Sequence, residues 1–253
     1  MNQALPTSTL PAYDSWNQLA ANIAFGAWAL GGLVILGYLV RLVTISESKD
    51  KYDFINRYEI RVLWIAAIIL IVGACFFVNS NIIQLSNLWI FVYVFTTVSM
   101  GMIVALIVQN LLKFYYPFFI EKRLKVLRYR PRISPKNGKA MKLLSEEEED
   151  VYLDEGMIAE ENVFSVDYDV WKDEETGFIK IERYAGHLHA LQCPECNYQT
   201  FKVVREEILK APSVSEEGQL LKHFQCGYCG YKAKKTVVLK ISQKFEETSA
   251  ATA

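Results

Sequence analysis

Four of the five cysteines fall into two pairs of identical spacing, Cys193 with Cys196 and Cys226 with Cys229. Thiolates two residues apart can reach one ion from a single tight turn, and two such turns supply the four sulfurs of a tetrahedral site. The turns read Cys193-Pro194-Glu195-Cys196 and Cys226-Gly227-Tyr228-Cys229-Gly230, a spacing that suits one Zn2+. Iron would fit the same ligand set. Four protein ligands leave no position for water or substrate, so the ion is expected to be structural: it folds the segment and does not react. A redox dithiol comes as a single pair in a thioredoxin-like setting, and the doubled pattern favours a metal. His187, His189 and His223 lie shortly before the knuckles but are not needed as ligands. No Ser/His/Asp set, phosphate loop or pair of catalytic carboxylates stands out, and no catalytic residue is assigned.

The elements that must hold these knuckles are short and alternate in polarity. Segments 199–209, 219–225 and 232–242 each read as a half-buried strand, with Val203, Val204, Ile208, Leu220, Phe224, Val237, Val238 and Leu239 as the apolar positions. Three antiparallel strands carrying two knuckles make a zinc ribbon. So small an apolar set cannot stabilise a domain alone, so the metal is expected to contribute much of the folding free energy. The remainder, 243–253, is expected to be a disordered tail.

Upstream the composition changes completely. Between Arg61 and Lys113 there is no Asp, Glu, Lys or Arg, so the overall net charge of -1 averages two unlike halves. Segments 21–40, 62–78 and 88–112 are apolar and long enough to cross a hydrocarbon core as helices. The first fifteen residues lack the positive region of a secretory signal, so no cleavage is expected. Basic residues lie in the first loop (Arg41, Lys49, Lys51, Arg57, Arg61) and after the third span, and neither the N-terminus nor the second loop has any. That asymmetry predicts an inner-membrane protein with the N-terminus outside and the ribbon in the cytoplasm, where reducing conditions suit metal thiolates. No span carries a central ionisable residue, which argues against a transporter or pump. Gly26, Gly31, Gly32 and Gly37 could admit a neighbouring helix closely, and Cys75 reads as a small apolar filler.

Beyond the third span, Phe114 to Phe119 forms an aromatic belt in which Pro117 is expected to kink or end the helix. The basic residues Lys122, Arg123, Lys125, Arg128, Arg130 and Arg132 follow, as topology signal or as contacts to anionic lipid. Ser145 with Glu148 forms a capping box, so the acidic run to Asp150 reads as a solvated helix start, not a cation site.

The run Arg132-Ile133-Ser134-Pro135-Lys136-Asn137-Gly138, with the acidic helix and the Asp169-Val170-Trp171 motif, resembles the cytoplasmic tail of TPM-domain membrane proteins over about residues 125 to 240. The resemblance implies two successive zinc ribbons. The second is intact; in the first, Ser134, Asn137, Asp173 and Thr176 stand where cysteines would be. One Asp with neutral oxygens cannot hold a tetrahedral zinc. The degenerate ribbon is therefore expected to be held by packing alone, through Val163, Phe164, Val166, Val170, Trp171, Phe178, Ile179 and Ile181. No TPM domain is present, so nothing credited to that domain carries over.

The expected organisation is a membrane α-helical domain followed by a small cytoplasmic α+β region ending in a zinc ribbon. Its boundaries are an outer N-terminal segment (1–17), a three-helix membrane domain (18–119), the basic juncture, acidic helix and degenerate ribbon (120–184), the zinc ribbon (185–242) and the tail. The function this implies is a membrane-anchored interaction module, an adaptor or accessory subunit whose partners are membrane lipid and a protein or second copy. A nucleic-acid-binding ribbon is the alternative, supported by Lys232, Lys234, Lys235, Lys240 and Lys244 with Tyr228 and Tyr231 to stack, but Glu206, Glu207, Glu216 and Glu217 offset that charge. A redox or iron module is the third.

Overall fold

The computed structural model describes residues 10–81, 87–213 and 216–240. The expected tail and most of the outer N-terminal segment lie outside the described residues, as does most of the second loop. The chain divides into two units that meet between Arg130 and Pro131, so the basic juncture up to Arg130 belongs with the helices.

In the first unit, α1 (Leu10–Thr44), α2 (Ser48–Val78) and α3 (Asn87–Asn110) are helical. Three helices here are long and apolar enough to cross a membrane. The helices outrun the apolar segments that announced them. The expected first loop shrinks to three residues, because 48–61 continues as helix and is stitched on its outer face by the Lys49–Asp53 pair. Nor does Pro117 end the third helix. A π-helical segment, Leu111–Tyr115, leads into α4 (Tyr116–Arg128), and Pro117 sits in the first turn of α4, where its missing N–H is harmless.

The buried residues of α2 are Ile55, Glu59, Ala66 and Gly73, a four-then-seven spacing that marks a packed stripe. Of the glycines singled out for close approach, Gly31 serves: a Cβ there would lie 2.9 Å from Leu70. Gly26, Gly32 and Gly37 face open space; two further close approaches come from Gly73, under the Trp28 ring, and Gly101, against Cys75. Ile55, Ile120 and Leu124 form a small core where α4 folds back on α2.

In the second unit, β1 (Lys142–Leu143), β2 (Val166–Lys172) and β3 (Ile179–Ala185) form one antiparallel sheet. A second sheet comprises β4 (Phe201–Lys210), β5 (Gly218–Cys226) and β6 (Lys232–Leu239), also antiparallel, with a register shift in β4 between Val203 and Arg205. Between β1 and β2 the chain makes α5 (Glu146–Glu149), a 3-10 turn and α6 (Glu155–Asn162). The Ser145–Glu148 capping box is formed, but the acidic helix is a single turn and the longer helix restarts at its own cap, Asp154, which accepts from Met157 N–H at 2.7 Å. The core of the first sheet is Leu153, Val166, Tyr168 and Val170. Two residues expected in it are instead at the surface: Phe164 is 62% exposed, in a left-handed turn (φ 56), and Ile181 is 37% exposed.

Candidate metal centre

The first knuckle precedes β4 and the second joins β5 to β6, and each is a tight turn closed by its own backbone. Cys193 N–H donates to Tyr198 O and Asn197 N–H to Cys193 O, both at 2.9 Å, with Asn197 in the left-handed region (φ 63). In the second, Cys226 N–H donates to Tyr231 O at 2.9 Å and Gly230 (φ 75) takes the left-handed position. Cross-strand pairing of Phe201 with Cys226 brings the knuckles face to face. Cys193 Sγ then lies 3.6 Å from Cys229 Sγ, and Cys196 Sγ 3.7 Å from Cys226 Sγ. All four sulfurs lie within 4.8 Å of one another, and the cysteines are free of disulfides. Sulfurs bound at about 2.3 Å to one tetrahedral ion are separated by about 3.8 Å, so this donor set fits a metal ion.

The sulfurs are not equivalent. Cys226 Sγ is 3.0 Å from the fully buried Thr200 hydroxyl and accepts the Tyr228 and Cys229 N–H groups at 3.4 Å. Burial alone would raise its thiol, but these donors outweigh burial and hold it below the ordinary value, favouring the thiolate that a metal needs. Burial pushes Cys196 the other way, up to about 12. Cys193 and Cys226 are buried and Cys229 is exposed. None of the three histidines joins the cluster: His187 and His189 are exposed, and His223 sits mid-strand, 3.6 Å from Glu207.

The other four singled-out positions also converge. Asp173 is buried, and its carboxylate accepts from Ser134 Oγ at 2.7 Å, from Asn137 Nδ2 at 3.3 Å and from the Thr176 hydroxyl. The Glu175 and Thr176 N–H groups, at 3.0 and 3.3 Å, complete it. These donors, the Thr176 and Ser134 hydroxyls first, hold the Asp173 carboxyl well below its usual range. The turns match the first metal knuckle bond for bond, and share with the second its i to i+5 bond. Ser134 N–H reaches Lys139 O and Gly138 N–H reaches Ser134 O, and Asp173 pairs in the same way with Phe178 and Gly177. Gly138 (φ 70) and Gly177 (φ 67) are left-handed, like Asn197 and Gly230. The expectation that packing alone holds this half is therefore corrected: a carboxylate joins the two turns, because one anion with five donors can do by hydrogen bonding what an ion does for four thiolates.

Of the expected lipid-contact residues, Arg132 is elsewhere. It is 5% exposed, forks onto Glu182 (Nε to Oε1 2.8 Å, Nη2 to Oε2 2.6 Å) and lies 4.9 Å from the Trp171 ring. A buried bidentate pair is unavailable to a headgroup. Burial alone would raise the Glu182 carboxyl; the Arg132 and Tyr184 donors reverse that and hold it down. Lys122, Lys125 and Arg130 are exposed, Arg128 is half-buried, and Arg123 binds Glu59 at 2.6 Å.

Three further carboxylates matter that sequence reasoning left in solvent or passed over. Glu149 turns inward from the acidic run, 3% exposed, and accepts the Val170 N–H at 3.2 Å. Burial, with Glu146, Glu161 and Asp169 nearby, pushes its carboxyl up to about 7. Glu160 joins the two sheets: it accepts from Gln199 N–H, Tyr168 OH and Arg183, while the Ser165 hydroxyl donates to Gln199 O at 2.5 Å. Glu59 is 2% exposed and accepts from Tyr38 OH (2.5 Å), Tyr116 OH (2.6 Å) and Arg123. Its place on the Ile55–Glu59–Ala66–Gly73 stripe was the available signal. No protein-family model, curated protein or solved structure matches this chain.

Proposed function

We propose that the chain is a membrane-anchored interaction module: three helices hold it in the inner membrane, and a zinc-closed ribbon braced on a metal-free module presents a docking surface to a protein partner. The observation that carries this reading is the convergence of four sulfurs into a closed site, which fixes a shape and leaves no coordination position for a substrate. Zn2+ is the ion the ligand set and spacing favour. The ribbon lies on the cytoplasmic side, because the basic residues flank the first and third apolar stretches on that side only. The turns around Asp173 support a degenerate ribbon: two knuckle-like turns keep their geometry while oxygen and amide groups occupy the inner positions.

The direct test is a mild-detergent pull-down of the tagged chain from native membranes beside a Cys193→Ser, Cys196→Ser variant. A defined stoichiometric partner, present with the intact chain and lost with the variant, is the expected result; recovery of the chain alone in both would overturn the reading.

One observation favours a second reading. Cross-strand rows place Lys202, Lys232, Arg205 and Lys234 on one face of the second sheet, with Glu207 as the acidic residue among them. A polyanion such as single-stranded nucleic acid would suit that face, and its binding would weaken steeply with added salt.

A further inference from the structure

The uncharged stretch that starts after Arg61 and ends before Lys113 leaves those two residues as bookends of the apolar run. Pairing of α2 with α3, seen where Asn79 bonds Thr97 and Gly101 abuts Cys75, returns the chain so that both bookends stand at one level. There they line a cleft of about 390 Å³ with Arg57, Trp64, Gln109 and Leu112. Arg57 and Arg61 are one helical turn apart on α2, and Lys113 is the middle residue of the π-helical segment. π-Helical turns are rare and often mark functional positions.

No carboxylate lines this cleft. Among the described residues, Arg57, Arg61 and Lys113 form no salt bridge, and Glu59, which lies between the two arginines in sequence, is buried against Tyr38, Tyr116 and Arg123. Three gathered cations repel one another unless an anion joins them. Arginine forks match phosphate oxygens, and tryptophan favours the level where headgroups meet chains. The apolar walls, Trp64 and Leu112, continue into the uncharged stretch.

We propose that this cleft binds the phosphate headgroup of an anionic membrane lipid, with the acyl chains along the Trp64 and Leu112 walls. The inference rests on the reading of the helices as membrane spans. It concerns different residues from the basic run on α4. A soluble phosphate would satisfy the cations but leave the apolar walls uncovered, which is why the lipid is the occupant.

The test uses the full chain, purified in zwitterionic detergent and offered equal phosphatidylglycerol and phosphatidylcholine, with retained lipid counted by native mass spectrometry. We expect retention of phosphatidylglycerol to exceed that of phosphatidylcholine by about tenfold or more. An Arg57→Gln, Arg61→Gln, Lys113→Gln variant should lose the preference, and Arg57→Lys, Arg61→Lys should keep most of it as a check on folding. Lys122→Gln, Lys125→Gln, Arg128→Gln, which changes the same number of charges outside the cleft, should lower it far less than the cleft variant, and an equal loss would overturn the proposal. A wild-type chain without preference, a triple Gln variant that keeps it, or full competition by glycerol phosphate would each overturn the proposal. Release of the chain from membranes by alkaline carbonate would overturn the membrane reading and this proposal with it, whereas integral behaviour without lipid preference would overturn this proposal alone.

Discussion

Asp173 and Glu149 are both buried carboxyls, yet their surroundings push them in opposite directions. Asp173 is met by hydroxyl, amide and backbone donors that favour the anion, so its contribution to stability is present above the ordinary value of 3.8 and is lost as pH falls through its lower folded value. Glu149 is buried beside other acids, so its contribution is present below the ordinary 4.5 and is lost as pH rises through about 7. The interval between those two values corresponds to roughly 3 kcal/mol at most. Glu149→Gln removes the titration while keeping an acceptor for Val170 N–H. Thermal unfolding of the full chain in detergent should then show a variant more stable than wild type at pH 8 and little different at pH 5; equal stability at pH 8 would contradict this. Asp173→Ala leaves Ser134, Asn137 and Thr176 without their common acceptor. Hydrogen exchange should rise across 131–140 and 172–180 while metal content stays unchanged. Loss of the metal with Asp173→Ala would show that the two modules are not chemically independent.

At the level of elements, two short helices do more than their length suggests. In α6, Gly156 lies directly beneath the Tyr198 ring and Glu160 accepts from Gln199, so a helix from the first module seats the first knuckle of the second. Gly156→Ala places a methyl group in the ring and should cost about 1–3 kcal/mol, read as a lower unfolding midpoint with the sulfur ligands intact. α4 is held by Glu59, whose loss strands two tyrosine hydroxyls and Arg123. Removing one member of a fully buried pair costs about 3–5 kcal/mol, but the Arg123 side chain is 46% exposed. About 2 kcal/mol is therefore expected for Glu59→Ala, seen as faster proteolysis of the 116–128 segment; unchanged proteolysis would show that the Ile55, Ile120 and Leu124 core suffices.

These elements also show what the sequence could convey. Strands β4 to β6 and the knuckles were legible because alternation and Cys-x-x-Cys spacing are local signals. The capping box at Ser145 was legible for the same reason. Helix ends were not: 48–61 and 116–128 are polar enough to read as loop, and their helicity comes from packing and from continuity with apolar helices. The inward turn of Glu149, the Glu59 hub and the Arg132–Glu182 fork were hidden because each joins residues distant in the chain, and an acid or base in a charged run looks solvated until its partner is placed. Ser134, Asn137, Asp173 and Thr176 are recognisable in the sequence as two matching turns, but the role of the Asp173 carboxylate in joining them is not, because it depends on donors nearly forty residues away in the chain.

Over the whole molecule, the chain joins a unit with three helices long and apolar enough to cross a membrane to a unit with two small sheets, each carrying a pair of matching turns. One pair of turns meets through four sulfurs and the other through one carboxylate. A single metal ion is predicted to close the pair of turns that carries the four sulfurs, and none the pair joined by Asp173. Elemental analysis of the full chain, purified in detergent under reducing conditions, tests this most directly when run beside the Cys193→Ser, Cys196→Ser and Asp173→Ala variants. The prediction is one zinc ion per chain, lost in the cysteine variant and retained in the Asp173 variant; no bound metal in the wild type, or a second ion that disappears with Asp173, would contradict it.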